Sequence, residues 1–329
     1  MRVTPSLDTI CSITICDAPF VQTHPVVEFN GTNYIVVWSD MRFTGSRYWI
    51  VSSCVDTSGA VLDNGYCIGA GGQTNEYRPD IAYDGNRCFA VWYDSEEPFG
   101  VNGRFVNESG QPEGEVIKVA PTLASHNMNP SVEFAGVNYF VVWADIRTGY
   151  SDLDISGQFV SPQGQLIGPP LSVASGPSNQ MYPEVAYDGN VALVIWREGE
   201  TAIFGQKVFP DGSLCGSNFQ ISDNLPYYRF NAGLDMSASN YLVTWSESRI
   251  GETDIYGNVD VMTPIEEEAV IMSGWQGATL FCNRFVLPGE TQCRVYDVCG
   301  RDVTGHTFLP GIYFIEVGVG IVQKVILIR

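Results

Sequence analysis

Five segments of this chain end in the same apolar strand and the same tryptophan. They are NYIVVW (33–38), RCFAVW (87–92), NYFVVW (138–143), VALVIW (191–196) and NYLVTW (240–245). Their tryptophans, Trp38, Trp92, Trp143, Trp196 and Trp245, stand 54, 51, 53 and 49 residues apart. Thirteen residues before each lies Pro25, Pro79, Pro130 or Pro183, with Ala232 in the fifth copy. Between proline and strand comes a tight turn, Asn30-Gly31, Asp84-Gly85, Ala135-Gly136 or Asp188-Gly189. Such pairs supply the positive φ that a short hairpin needs. A period near fifty residues must be read before any local pattern, because each repeat buries its apolar faces only against its neighbours.

Each unit continues with a third strand, as in VNGRFVNESG (101–110), DISGQFVSPQG (154–164) and IFGQKVFPDG (203–212). A fourth short strand follows, as in VIKVA (116–120), LSVA (171–174) and FQIS (219–222). No segment sustains a helical period. Four short antiparallel strands per repeat describe one propeller blade. The fold class expected is all-β, a five-bladed β-propeller over residues 1–262 followed by a small Ig-like β-sandwich over 263–329. The fifth copy lacks a fourth strand, and SLDTICSITIC (6–16) resembles SLCGSNFQIS (213–222). The N-terminal strand, over residues 12–16, is therefore expected to close the ring beside 254–261.

Charge narrows the partners. Asp and Glu number 37 against 17 Lys and Arg, a formal charge of −20. That surface repels phosphate backbones and anionic lipids, which argues against nucleic-acid binding and membrane-surface binding. No run of about 18 apolar residues offers a membrane span. The first twenty residues lack the unbroken apolar segment of a signal peptide. The expectation is a secreted or bacterial cell-surface protein whose signal peptide is absent from this chain.

Nine cysteines include no CxxC, and the three histidines are far apart, so a zinc or haem site is not expected. Cys54 and Cys67 flank a turn around Gly59, and Cys282 and Cys293 flank Pro288-Gly289. Each pair is either a disulfide across a hairpin or two buried thiols.

The C-terminal segments VYDVCGRDV (295–303), LPGIYFIEV (309–317) and QKVILIR (323–329) resemble the type A sorting domain of the bacterial type IX (Por) secretion system. That resemblance implies a small β-sandwich that engages the secretion machinery. The repeat itself, with its DIYG-type third strand, is similar to propellers of secreted bacterial proteins.

Three sets of residues could carry chemistry. Counting from the proline, each blade places one acid on one face of its first strand: Glu28, Asp80, Glu133, Glu184 and Asp235. Near one axis these carboxylates could raise one another's pKa values or hold a cation such as calcium, with Glu28, Glu133 and Asp235 as its ligands. They could equally point into a water-filled channel. The furanosidase-type five-bladed propellers use an Asp/Asp/Glu set from inner strands, so resemblance to them implies that these acids would be catalytic. A second five-fold acid follows each tryptophan by two residues, Asp40, Asp94, Asp145, Glu198 and Glu247, and is expected to cap turns and form ion pairs within blades. The third set lies on the connections into each first strand: Tyr77, Arg78, His126, Tyr182, Tyr228 and Arg229. Aromatic and guanidinium side chains on a rim suit recognition of a sugar or a protein.

The function expected is a non-catalytic binding module for a glycan or an extracellular protein at the channel mouth. The alternatives are a glycoside hydrolase and a structural subunit of an extracellular assembly. A neutral glycan or basic protein is favoured unless Arg78 and Arg229 focus a local positive field.

Overall fold

The computed structural model describes residues 2–3, 9–71, 74–95, 100–120, 128–146, 152–237, 240–249, 252–261, 280–282, 293–297, 311–317 and 321–328. It is all-β, with no helix among the described residues. The chain divides into Met1–Thr263 and Pro264–Arg329.

The first unit begins with a two-stranded ladder of β1 (Arg2–Val3) and β2 (Thr9–Cys11). Five antiparallel sheets follow, one per repeat. Blade 1 is β3 (Gln22–Phe29), β4 (Tyr34–Asp40), β5 (Trp49–Val55) and β6 (Tyr66–Cys67). Blade 2 is β7 (Glu76–Tyr83), β8 (Cys88–Asp94), β9 (Gly100–Val106) and β10 (Pro112–Lys118). Blade 3 is β11 (Met128–Phe134), β12 (Tyr139–Ile146), β13 (Leu153–Val160) and β14 (Leu166–Ala174). Blade 4 is β15 (Gln180–Tyr187), β16 (Ala192–Glu198), β17 (Ala202–Val208) and β18 (Leu214–Gln220). Blade 5 has three strands, β19 (Tyr228–Met236), β20 (Asn240–Arg249) and β21 (Glu252–Val261). The result is a five-bladed propeller.

The turns explain the hairpins. The Asp84 carboxylate accepts from the N–H groups of Asn86 and Arg87, and Asp188 does the same for Asn190 and Val191. Gly85 and Gly189 follow at φ 94° and 98°, where a side chain would be strained. The second strands are continuously apolar because both faces are covered. Ile35 and Val37 pack toward blade 2, and Phe140 and Val142 of blade 3 pack toward blade 4. The third strands carry a glycine where neighbours press close: a Cβ on Gly103 would lie 2.4 Å from Phe89 and one on Gly157 2.7 Å from Phe140.

The closure differs from the sequence expectation. Residues 12–18 form no strand, and β21 has only β20 as a ladder partner. Instead Ile13, Ile15 and Cys16 lie on Val36, Trp38, Val51 and Val55, the face of blade 1 that points away from blade 2. The N-terminus thus covers a face of blade 1 on the side of the expected seam by side-chain burial, without extending the sheet of blade 5. Elsewhere along that seam Val27, Phe29, Leu242, Ile255 and Val259 stand exposed.

The cysteine pairings are also corrected. Cys54 and Cys67 are free thiols. Cys67 stands opposite Val51, and Cys54 lies three residues further along β5, so the two thiols face different ways. In the second unit β22 (Leu280–Cys282), β23 (Cys293–Asp297), β24 (Gly311–Val317) and β25 (Ile321–Ile328) form one sheet in the order β22-β25-β24-β23. Cys282 and Cys293 therefore sit on opposite edges, about 14 Å apart across three strand spacings and about seven residues apart along the strands, beyond the reach of a disulfide. A single sheet is what the described residues of this unit contain. The facing sheet of a sandwich, and the Glu266-Glu267-Glu268 linker, lie outside them.

Candidate functional site

The first strands β3, β7, β11, β15 and β19 lie side by side around the axis. Each carries an irregularity at the same place, between Thr23 and Val26, Tyr77 and Asp80, Met128 and Ser131, Met181 and Glu184, and Phe230 and Gly233. At its centre stands a residue in the left-handed region: His24 (φ 53°), Arg78 (46°), Asn129 (51°), Tyr182 (56°) and Asn231 (51°). Four of them precede proline, a context that already restricts the backbone. Five equivalent strained residues on one rim cost of order 1–3 kcal/mol each, and such strain concentrates at binding sites. Each bulge re-aims one side chain at the channel mouth.

The mouth holds a cavity of about 280 Å³ lined by His24, Arg78, Asn129, Tyr182, Asp80 and Glu184, among others. Its walls come from blades 1 to 4. Of the six rim residues expected to bind ligand, Arg78 and Tyr182 line it. Tyr228 lies beside it, its hydroxyl accepting from Arg197 at 3.2 Å. Tyr77 is instead packed between Tyr48 and Tyr93, with ring centroids at 4.9 and 5.8 Å. Arg229 is fully buried and bonds Glu247 at 2.6 Å, Asp223, and the carbonyls of Thr201 and Leu225. It is a strut of blade 5, since two carboxylates neutralise it and no face remains for a ligand. His126 lies outside the described residues.

Arg197 is the residue that sequence reasoning missed. It follows Trp196 directly, where the other blades have Ser39, Tyr93, Ala144 and Ser246. Its guanidinium lies 5.0 Å from the Tyr182 ring and 5.6 Å from that of Tyr228, and the Arg78 guanidinium lies 5.6 Å from the Tyr182 ring. The only sequence signal was a cation breaking the repeat at that position.

The five inner acids occupy two levels. Asp80 and Glu184 follow the proline by one residue and line the cavity; Glu28, Glu133 and Asp235 follow by three, about 6.6 Å deeper. Burial, then the charge of Asp80, pushes Glu28 up to about 7. Burial, then hydrogen bonding and the charges of Glu28, Asp80 and Asp235, leave Glu133 at about 7. Burial and Asp80 raise Glu184 to about 8. Glu184 opens onto the cavity, where the surrounding walls and the Asp80 charge act on it together. Asp80 is pulled both ways. Burial raises it, while the N–H groups of Val132 (2.8 Å) and Ile81 (2.9 Å) favour its charged form, and the net direction is upward. Among the described residues no three His, Cys, Asp or Glu side chains converge in a group that could hold a metal ion.

The second five-fold acid is structural in a way the sequence did not disclose. The carboxylates of Asp40, Glu198 and Glu247 accept the indole N–H of their own blade's tryptophan at 2.6, 2.9 and 2.9 Å. Asp40 and Glu247 also pair with Arg42 and Arg249.

No known protein family profile matches the chain, and no curated protein matches it. Several solved structures are similar to it in part. An endo-arabinase from Bacteroides thetaiotaomicron aligns with a TM-score of 0.48 at 13% identity, covering 78% of this chain and 99% of that one. A thermostable family-43 glycoside hydrolase gives 0.45 at 12%, covering 74% and 93%. The polysaccharide lyase Uly1 gives 0.49 at 9%, covering 74% and 58%. At these identities and TM-scores the likeness says nothing of what this chain acts on.

Proposed function

We propose that this chain is a secreted or cell-surface propeller that recognises a glycan at its channel mouth. The observation that carries the reading is the 280 Å³ cavity, lined by four of the five strained backbone positions, His24, Arg78, Asn129 and Tyr182, together with the carboxylates of Asp80 and Glu184. That mixture offers donors and acceptors for sugar hydroxyls beside an aromatic ring, and its volume suits one or two sugar units. An extracellular protein would need a larger contact than this concave opening provides.

One observation favours a second reading, glycoside hydrolysis. Asp80 accepts two backbone N–H groups, whereas no group among the described residues donates to Glu184, which is held protonated to about pH 8. Two carboxyl groups with different environments are what glycosidic cleavage uses. Glu184 would protonate the leaving oxygen and Asp80 would activate water.

Calorimetric titration of the intact chain against a glycan panel, with a hydrolysis screen on arabinan and fructan, tests both readings. Binding lost in Tyr182→Ala with an unchanged melting temperature supports recognition at the mouth. Turnover that disappears in Glu184→Gln while binding persists supports the hydrolase. A panel in which nothing binds and nothing is cleaved refutes the glycan reading. The C-terminal unit would deliver the protein to the type IX machinery. Removing residues 264–329 in a host that carries that system should retain the propeller inside the cell, and unimpaired export would sink the idea.

A further inference from the structure

We infer that the glycan bound at the mouth is acidic, and that Arg78 and Arg197, both stacked on Tyr182, form the subsite for its carboxylate. The inference rests on the mouth being a glycan site and adds the chemical class of the sugar.

The argument begins with how the other arginines are used. Arg42 pairs with Asp40, Arg87 with Glu113, Arg229 with Glu247 and Asp223, and Arg249 with Glu247 and Asp223. Arg104 donates to the carbonyls of Gly114 and Ile68. In a chain with 37 acids and 17 bases, a cation without an acid beside it is the exception. Arg78 and Arg197 are such exceptions among the described residues. Arg78 has no hydrogen-bond or carboxylate partner there. Arg197 is only 7% exposed, yet donates just to the Tyr228 hydroxyl (3.2 Å) and, at 3.5 Å, to the Arg229 carbonyl. Its Nε has no partner at all.

A guanidinium carries five donors in a planar fork. Burying it with a donor unspent and no counter-charge is costly, and a partner arriving from outside removes that cost. The tyrosines hold the forks without quenching them, because a neutral ring orients a cation by its quadrupole and leaves its N–H groups free. Arg78 lines the cavity directly, and on the same rim His24 has a buried Nδ1 with no hydrogen-bond partner. A carboxylate matches the fork in shape and charge. Of the cavity's own acids, Glu184 is protonated at neutral pH and adds no charge against it. The −20 charge elsewhere repels a polyanion, so one acidic unit seated at this positive spot is favoured over a long anionic chain lying across the surface.

The test is calorimetry on the intact chain with four oligosaccharides of matched length: a uronate oligomer, its carboxyl-reduced neutral counterpart, a sulfated galactan oligomer and a neutral arabinan oligomer. The uronate should bind about tenfold or more tighter than its reduced form, about 1.4 kcal/mol, and that advantage should shrink as salt rises from about 50 to about 500 mM. Arg78→Gln and Arg197→Gln should each remove most of the uronate's advantage over its reduced form, whatever either does to the affinity that both ligands share. Because Arg197 is buried, melting temperatures are read alongside, and Arg78→Gln decides the matter if the Arg197 variant unfolds. Equal affinity for the uronate and its reduced form overturns the inference and leaves the glycan reading standing. Preference for the sulfated oligomer alone overturns the carboxylate assignment. Absence of binding throughout overturns both.

Discussion

Replacing Glu133 by Gln should stabilise the propeller at pH 8 and progressively less toward acid. Glu133 sits at about 7 in the folded chain against an ordinary 4.5. Between those values the native state keeps a proton that the unfolded chain has released, so native stability falls as pH rises through the window. At about 1.36 kcal/mol per tenfold difference in proton affinity, the full penalty above pH 7 is at most about 3.4 kcal/mol. Channel water reaches the side chain, and screening on that side brings a realistic figure to about half. Gln keeps the Oε1 that accepts the Phe134 N–H at 2.9 Å, so the substitution removes the charge and little else. The variant should melt about 3–6 °C above the parent at pH 8 for a unit of this size. At pH 5.5, where the native carboxyl is mostly protonated, the gap should narrow by about 1 kcal/mol after the same screening. Thermal melts of both proteins across pH 5.5–8.5 provide the assay. A gap that is absent at pH 8, or constant with pH, would refute the claim that the inner acids are crowded into protonation.

Three further outcomes follow from the same geometry. Arg229→Ala should destabilise by about 1.5–3 kcal/mol in denaturant melts, because Glu247 keeps Arg249 but loses a buried charge-assisted hydrogen bond; a near-neutral effect would mean that Arg229 is a rim residue after all. Removing residues 1–16 should cost about 2–4 kcal/mol by uncovering the blade 1 face that Ile13 and Ile15 shield, and an unchanged melt would show that this segment does not cover the seam. Affinity for an acidic oligosaccharide should fall as pH rises through about 8, where Glu184 ionises and repels it; a flat profile from pH 6 to 9 would show that Glu184 does not face the ligand.

The fold was legible because its signal is redundant. Five tryptophans at near-constant spacing, with hairpin turns at matching offsets, leave little but a ring of equivalent sheets. The closure was less legible. Resemblance between the first residues and β18 pointed to pairing with β21, but the segment packs on blade 1 instead; hydrogen bonding to β21 depends on whether the backbones meet in register, which composition does not encode. The carboxylate ring was visible as a pattern, whereas its two depths came only from counting each acid's distance from its proline. The indole N–H bonds of Asp40, Glu198 and Glu247 were hidden because residues two apart on a strand share a face, and the pattern does not say which neighbour on that face they meet.

The hardest distinction was between Arg229 and Arg197, and it bears on where function sits in a repeat. Both are arginines near the same end of the ring, and on sequence Arg229 is the better candidate because it lies on a connecting loop beside two tyrosines. The structure reverses the choice. The loop residue is drawn inward by Glu247, whose own position recurs as an acid in every blade and belongs to the framework. The strand residue Arg197 stands where no other blade carries a cation, and it meets aromatic rings in place of a carboxylate. A contact that recurs around the ring is available to every blade and supports packing. A side chain present once, with its donors unspent, has no such explanation in the symmetry. In this chain those singular residues fall on blades 2 and 4: Arg78 and Tyr182 line one opening, and Arg197 meets the Tyr182 ring.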